Sequence, residues 1–174
     1  DVVREYLSSY ERISAETELV DRADRAGNGA IRVVGLTLGT EQDPQLGSWV
    51  CGENAVVSVH YRSDRREELR SVEIALGIHR MDDAKHLVLS TKVLGQDIER
   101  LDSSGRSVCT VFRLPVEPGR YLINTEIKQN GVLADQVKGA ALVDVLPGDF
   151  YGTGRMWPYG GFLCDYAWRH ELSS

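Results

Sequence analysis

The chain has 174 residues, 42% hydrophobic and 26% charged, as expected of one soluble globular domain with its own core. Its net charge of −6, from 20 basic and 26 acidic residues, argues against nucleic acid or an anionic lipid surface as the main partner, since each needs a concentrated positive field. No apolar run approaches the roughly 18 residues that a bilayer-spanning helix requires.

At the start, Val3, Tyr6, Leu7 and Tyr10 recur at helical spacing, which predicts a short amphipathic helix. No basic-then-apolar leader precedes it, and the segment reads as the edge of a longer protein. The next stretch, ERISAETELVDRADRAGNG, is charged, poor in apolar residues and closed by a Gly-Asn-Gly breaker. It reads as a linker, so residues 1–28 are expected to be helix plus linker and residues 29–174 the folded domain.

From Ala30 the hydrophobic period changes to two. AIRVVGLTL is rich in strand formers. NAVVSVHYRS places Ala55, Val57, Val59 and Tyr61 on one face, and Val56, Ser58, His60 and Arg62 on the other. SVEIALGIHR sets Val72, Ile74, Leu76 and Ile78 against Ser71, Glu73, Ala75, Gly77 and His79. MDDAK is a turn before HLVLSTKV, and GRSVCTVFRL and GRYLINTEIK follow as strands separated by PVEPG. QNGV is an Asn-Gly hairpin signal, and ADQVKGAALVDVL is the next strand, ended by PGD. Seven to eight strands with turn residues between them predict an all-β, antiparallel, immunoglobulin-like sandwich.

Most chemistry-bearing motifs are missing. There is no GxSxG elbow, HExxH helix or calcium loop. Asp82 and Asp83 suit a turn, because neighbouring side chains in extended chain point apart. His60 and His79 have no evident third ligand, so no metal site is expected. The cysteines Cys51, Cys109 and Cys164 are widely spaced and read as a reduced, cytosolic set, with Cys109 a small core hydrophobe. Arg62, Arg65, Arg66 and Arg70 cluster, but Asp64, Glu67 and Glu68 interrupt them, which reads as a solvated loop rather than a phosphate site.

In order and spacing, GNGAIRVVGLTL, VCGENAVVSVHYRS, VEIALGIHRMDD, FRLPVEPGRYLINTEIKQNGVLADQV and DFYGTGR resemble the C-terminal domain of Wzt-type ATP-binding subunits of O-antigen polysaccharide ABC transporters. The likeness spans residues 27–170 and is most specific at Cys51-Gly52-Glu53 and at Leu114–Tyr121. Cys51 stands where that motif carries serine. The resemblance implies a non-catalytic domain that binds the terminal part of a lipid-linked O-antigen polysaccharide. It implies a preceding nucleotide-binding domain, a membrane-spanning transporter subunit as partner, and a cytoplasmic position beside the bacterial inner membrane. No cofactor is implied, and the chain has no GxxxxGK[ST] loop with which to bind ATP by itself.

Sugar binding asks for aromatic platforms against C–H faces and for planar polar groups against hydroxyls. The outward sides of the strands offer Ser58, His60, Glu73, His79, Asn124, Glu126, Lys128, Gln136 and Lys138, and Trp49 lies in a turn region open to stacking. Tyr121, after PGR at a strand start, is expected to be a corner tyrosine.

More than half of the aromatics lie near the C-terminus, as Phe150, Tyr151, Trp157, Tyr159, Phe162, Tyr166 and Trp168. The resemblance implies a homodimer in which a C-terminal strand crosses to the partner. GGFLCDYAW reads as that strand, with Trp157, Phe162, Tyr166 and Trp168 at the exchanged contact.

Overall fold

A computed structural model describes residues 16–65, 68–81 and 85–169. The helix expected over Asp1–Tyr10 lies outside them. Two sheets face each other. A 4-stranded sheet runs β1 (Glu16–Glu18), β3 (Arg32–Gly39), β5 (Ala55–Arg62), β9 (Ser104–Val111). A 7-stranded sheet has the path β2 (Arg25–Ala26), β11 (Val132–Leu146), β10 (Gly119–Gln129), β6 (Leu69–Arg80), β7 (Lys85–Ser90). Off that path, β4 (Ser48–Val50) joins β11 in parallel and β8 (Ile98–Leu101) joins β6. Every other pairing is antiparallel, so the expected β-sandwich is what forms.

The alternation read from the sequence decides the core. Val57, Val59 and Tyr61 point inward from β5, and Val72, Ile74, Leu76 and Ile78 point inward from β6. Each such side chain contributes roughly 1.5–3 kcal/mol on burial before entropy costs. The β10–β11 hairpin turns at Asn130 and Gly131, both at positive φ as a two-residue primed turn demands. Tyr121 is fully buried and donates its hydroxyl to the Glu117 carbonyl at 2.8 Å, the expected corner. Cys51 is buried and Cys109 is only half-buried against the core, and burial pushes both thiols up from their ordinary pKa.

The charged stretch expected to be linker is, from Glu16 onward, part of the sandwich. β1 pairs with β3 and β2 with β11. Leu19 is a core residue, and its N–H donates to the Val34 carbonyl at 2.9 Å. The Arg25 side chain can be largely buried because its guanidinium is fully engaged. It meets Asp135 at 2.9 Å and donates to the carbonyls of Leu19, Arg22 and Val33. Asp135 also accepts the Val33 N–H at 2.8 Å. Short edge strands with charged outward residues have no hydrophobic period, which is why composition alone reads them as linker.

The resemblance motifs converge at one end. Gly52 N–H donates to the Leu114 carbonyl at 2.9 Å, and Leu114 N–H returns to the Glu53 carbonyl at 2.8 Å. Gly52 has a φ of +85, and a Cβ there would lie 2.7 Å from the Phe150 Cα, so only glycine fits. The Arg113 guanidinium sits 4.4 Å from the centre of the Phe150 ring and pairs with Asp165 at 2.8 Å.

Beyond Phe150 the chain forms no regular strand among the described residues. Phe162 makes an isolated bridge with Val116, and Leu163 N–H donates to the Pro115 carbonyl at 3.0 Å. The inward residue of the GGFLCDYAW segment is Leu163, at 3% exposure, whereas Phe162, Tyr166 and Trp168 are exposed.

Candidate functional site

The outer face of the 7-stranded sheet carries a groove of about 420 Å³ across β6, β10 and β11. Its floor is made by the small residues Ala75 and Gly77 of β6. They lie directly across from Glu126 and Asn124 of β10, so the larger side chains rise as walls. His79 stands at one end of the floor, Gln136 and Lys138 of β11 line the far wall, and the exposed Val88 of β7 forms an apolar rim.

A bulge shapes the far wall. Ile123 pairs with Ala141 and Thr125 with Val137, so Lys138, Gly139 and Ala140 together face Asn124. Gly139 takes a φ of 56, and its N–H, which has lost its ladder partner, donates to the Asn124 Oδ1 at 2.6 Å. From outside, Arg22 donates to the carbonyls of Lys138 and Gly139 at 3.0 and 3.1 Å. Lys138 is thereby held by backbone on both sides while its side chain stays exposed.

The polar groups of the groove are ordered by one another. Gln136 Nε2 donates to Glu126 Oε2 at 2.9 Å, and Lys128 Nζ meets Glu126 Oε1 at 2.9 Å. The hydrogen bond that Lys128 donates to the Glu126 carboxylate holds its ammonium above the usual lysine pKa. Glu73 pairs with Lys92 at 2.9 Å. Such a set offers carboxylate acceptors beside amide and ammonium donors on rigid strands, the chemistry that grips vicinal hydroxyls with little ordering cost. Among the described residues no group of three or more His, Cys, Asp or Glu side chains converges to hold a metal.

The structure brings Glu73, His79, Asn124, Glu126 and Lys138 onto one face, as the alternation implies. Three other expectations fail. Trp49 is 1% exposed and anchors the core from the middle of β4, so it cannot stack on a sugar. Ser58 is 2% exposed, and both it and His60 belong to the 4-stranded sheet. His60 is spent on Thr37 Oγ1, 2.8 Å from its Nε2, and shares no face with His79. The reason is that β5 and β6 follow each other in sequence but cross between sheets. Ala75 and Gly77, which form the groove floor, are legible in the sequence as small outward residues in an otherwise bulky strand.

No protein-family profile matches the chain, and no curated protein matches it significantly. A solved structure, the C-terminal domain of Wzt, superposes with a TM-score of 0.67 over 86% of this chain and 90% of that one, at 11% identity. The fold is that of the Wzt C-terminal domain. The resemblance to Wzt carried by the sequence motifs therefore extends to the arrangement of both sheets. A Niemann-Pick type C2 protein from Japanese carpenter ant matches 70% of this chain and 98% of its own, at 13% identity and a TM-score of 0.47. No helix among the described residues is long and apolar enough to cross a membrane.

Proposed function

We propose that this chain is a non-catalytic carbohydrate-binding domain of an O-antigen polysaccharide exporter, and that the groove on the 7-stranded sheet is its glycan site. The observation that carries the reading is the convergence of His79, Asn124, Glu126, Gln136 and Lys138 over a floor of Ala75 and Gly77. The small floor admits a pyranose ring, Val88 offers an apolar contact for its C–H face, and the walls supply hydrogen bonds. The Wzt-like fold supports the assignment to polysaccharide export. In this reading the segment ahead of the sandwich connects it to a nucleotide-binding domain. The full-length protein works at the cytoplasmic side of the inner membrane with a membrane-spanning subunit, and holding the non-reducing end of the lipid-linked glycan couples cargo recognition to export.

A homodimer belongs to the same proposal. Phe162, Tyr166 and Trp168 are 52%, 60% and 81% exposed in a single chain, which leaves aromatic area for a second copy to cover. That exposure also favours the second reading, a sandwich that dimerises or docks a protein without binding glycan.

Calorimetric titration with the O-antigen polysaccharide of the source organism, intact and trimmed at its non-reducing end, decides between them. Saturable binding that is lost on trimming and in Glu126→Ala and Lys138→Ala is expected. A dimer that binds neither polymer would leave the docking reading standing.

A further inference from the structure

We propose that the cavity between the Gly-Asn-Gly loop and the first rung of the β3–β5 ladder is a site for one tetrahedral oxyanion, a phosphate or sulfate group, held by Arg32 and Arg62. The two arginines are direct partners in the antiparallel register, so their side chains leave the same face side by side. Like charges placed so are destabilising unless an anion lies between them. The cavity they line has a volume of about 150 Å³, enough for one such ion with part of its hydration at ~30 Å³ per water.

The hydrogen-bond pattern shows which donors remain. Arg25 also lines the cavity, but its N–H groups are committed to Asp135 and to the carbonyls of Leu19, Arg22 and Val33. Among the described residues, neither Arg32 nor Arg62 has an ion pair or side-chain hydrogen bond. Asp64 is the one carboxylate of the lining, and among the described residues it pairs with neither. Gly29 makes room. Its φ is +74, and a Cβ there would stand 3.1 Å from the Arg32 Nη2.

The geometry favours a tetrahedral anion over a carboxylate. Each guanidinium presents a planar fork, and a carboxylate fills one fork, whereas phosphate or sulfate offers oxygens to both. A polyanion is disfavoured, because the molecule as a whole is at −6 and the positive charge is local. The site lies at one end of the two inner strands of the 4-stranded sheet, apart from the groove on the other sheet, and does not depend on the glycan reading.

The test is titration of the whole chain with inorganic phosphate, sulfate and a hexose 6-phosphate at constant ionic strength, read by amide chemical shifts and calorimetry. Saturable binding with shifts at Gly29, Arg32 and Arg62 is expected, weakened at least tenfold in Arg32→Ala/Arg62→Ala and unchanged in Arg100→Ala, an exposed arginine of β8. Both arginines are exposed, and circular dichroism verifies the fold. Arg32→Lys/Arg62→Lys, which keeps the charge and removes the forks, is expected to bind several-fold more weakly than the native chain. Tighter binding of the hexose phosphate than of phosphate assigns the anion to a phosphorylated sugar, and equal binding assigns it to the free ion. Absence of saturable binding, the same response to chloride, or undiminished affinity in the double alanine variant would overturn the proposal.

Discussion

Asn124 is hydrogen-bonded to His79, with Nδ2 and Nε2 3.0 Å apart, across the strands that form the groove. Because Asn124 Oδ1 accepts the Gly139 N–H, its amide group must face His79 and donate. His79 Nε2 is then the acceptor, and in the neutral ring Nδ1 carries the proton. One side chain thus ties β6, β10 and the bulge of β11 together.

Removing that tie has a defined cost. Asn124→Ala leaves the Gly139 N–H without its acceptor, an expected loss of about 1–3 kcal/mol in urea unfolding. Asn124→Asp keeps the acceptor and should be milder. Equal losses in the two variants would contradict the bridging role.

Gly77→Ala separates shape from stability. A Cβ at Gly77 would fall 2.7 Å from His79 Nε2, so the imidazole must move, while the backbone itself is one that alanine adopts. Unfolding free energy is expected to change by less than about 1 kcal/mol, because alanine in a strand regains entropy. Glycan affinity should drop at least tenfold. Native affinity in this variant would place the sugar elsewhere.

Asp135→Asn tests the buried pair with Arg25. Side-chain exposures of 2% for Asp135 and 9% for Arg25 leave the pair little contact with solvent. Breaking such a pair costs about 3–5 kcal/mol, and replacing both partners by apolar residues should recover part of it. A midpoint in urea that hardly moves would show that the charge escapes to water.

The loop after β11 should respond to acid. Asp149 accepts the backbone N–H groups of Gly154 at 2.5 Å and Thr153 at 3.1 Å, and these bonds, Gly154 first, hold its carboxyl below the ordinary aspartate pKa. A depressed carboxyl stabilises the loop above its unfolded pKa and loses that contribution as pH falls through the folded one. Amide shifts of Thr153 and Gly154 are therefore expected to titrate below the ordinary aspartate pKa, and Asp149→Asn should abolish that titration.

Deleting the residues after Gly154 should abolish the proposed dimer in light scattering. The deletion also removes Leu163 from the core, so a triple change of Phe162, Tyr166 and Trp168 to serine, which keeps Leu163, is the cleaner variant. A folded dimer from either would mean that the tail plays no part in association.

The period-two pattern was enough to say which residues of β6 and β10 face the core, because alternation is a local property of extended backbone. It showed that Glu73 and His79 share a side, as do Asn124 and Glu126. The pairing of those two strands, and the separation of Ser58 and His60 from them, depends on which sheet each strand joins, a non-local choice that periodicity does not encode. The same holds for Trp49, whose place in a turn region said nothing of the core beneath it, and for Glu16–Ala26, whose edge strands gain order only from β3 and β11. Arg32 and Arg62 are ordinary charged residues in the linear chain; antiparallel register alone sets them face to face. By itself, then, the sequence determined the layer architecture and the facing of the long alternating strands such as β6 and β10, since both follow from spacing along the backbone. Only the tertiary structure decided which outward faces meet, because hydrogen-bonded strand neighbours are chosen by long-range packing.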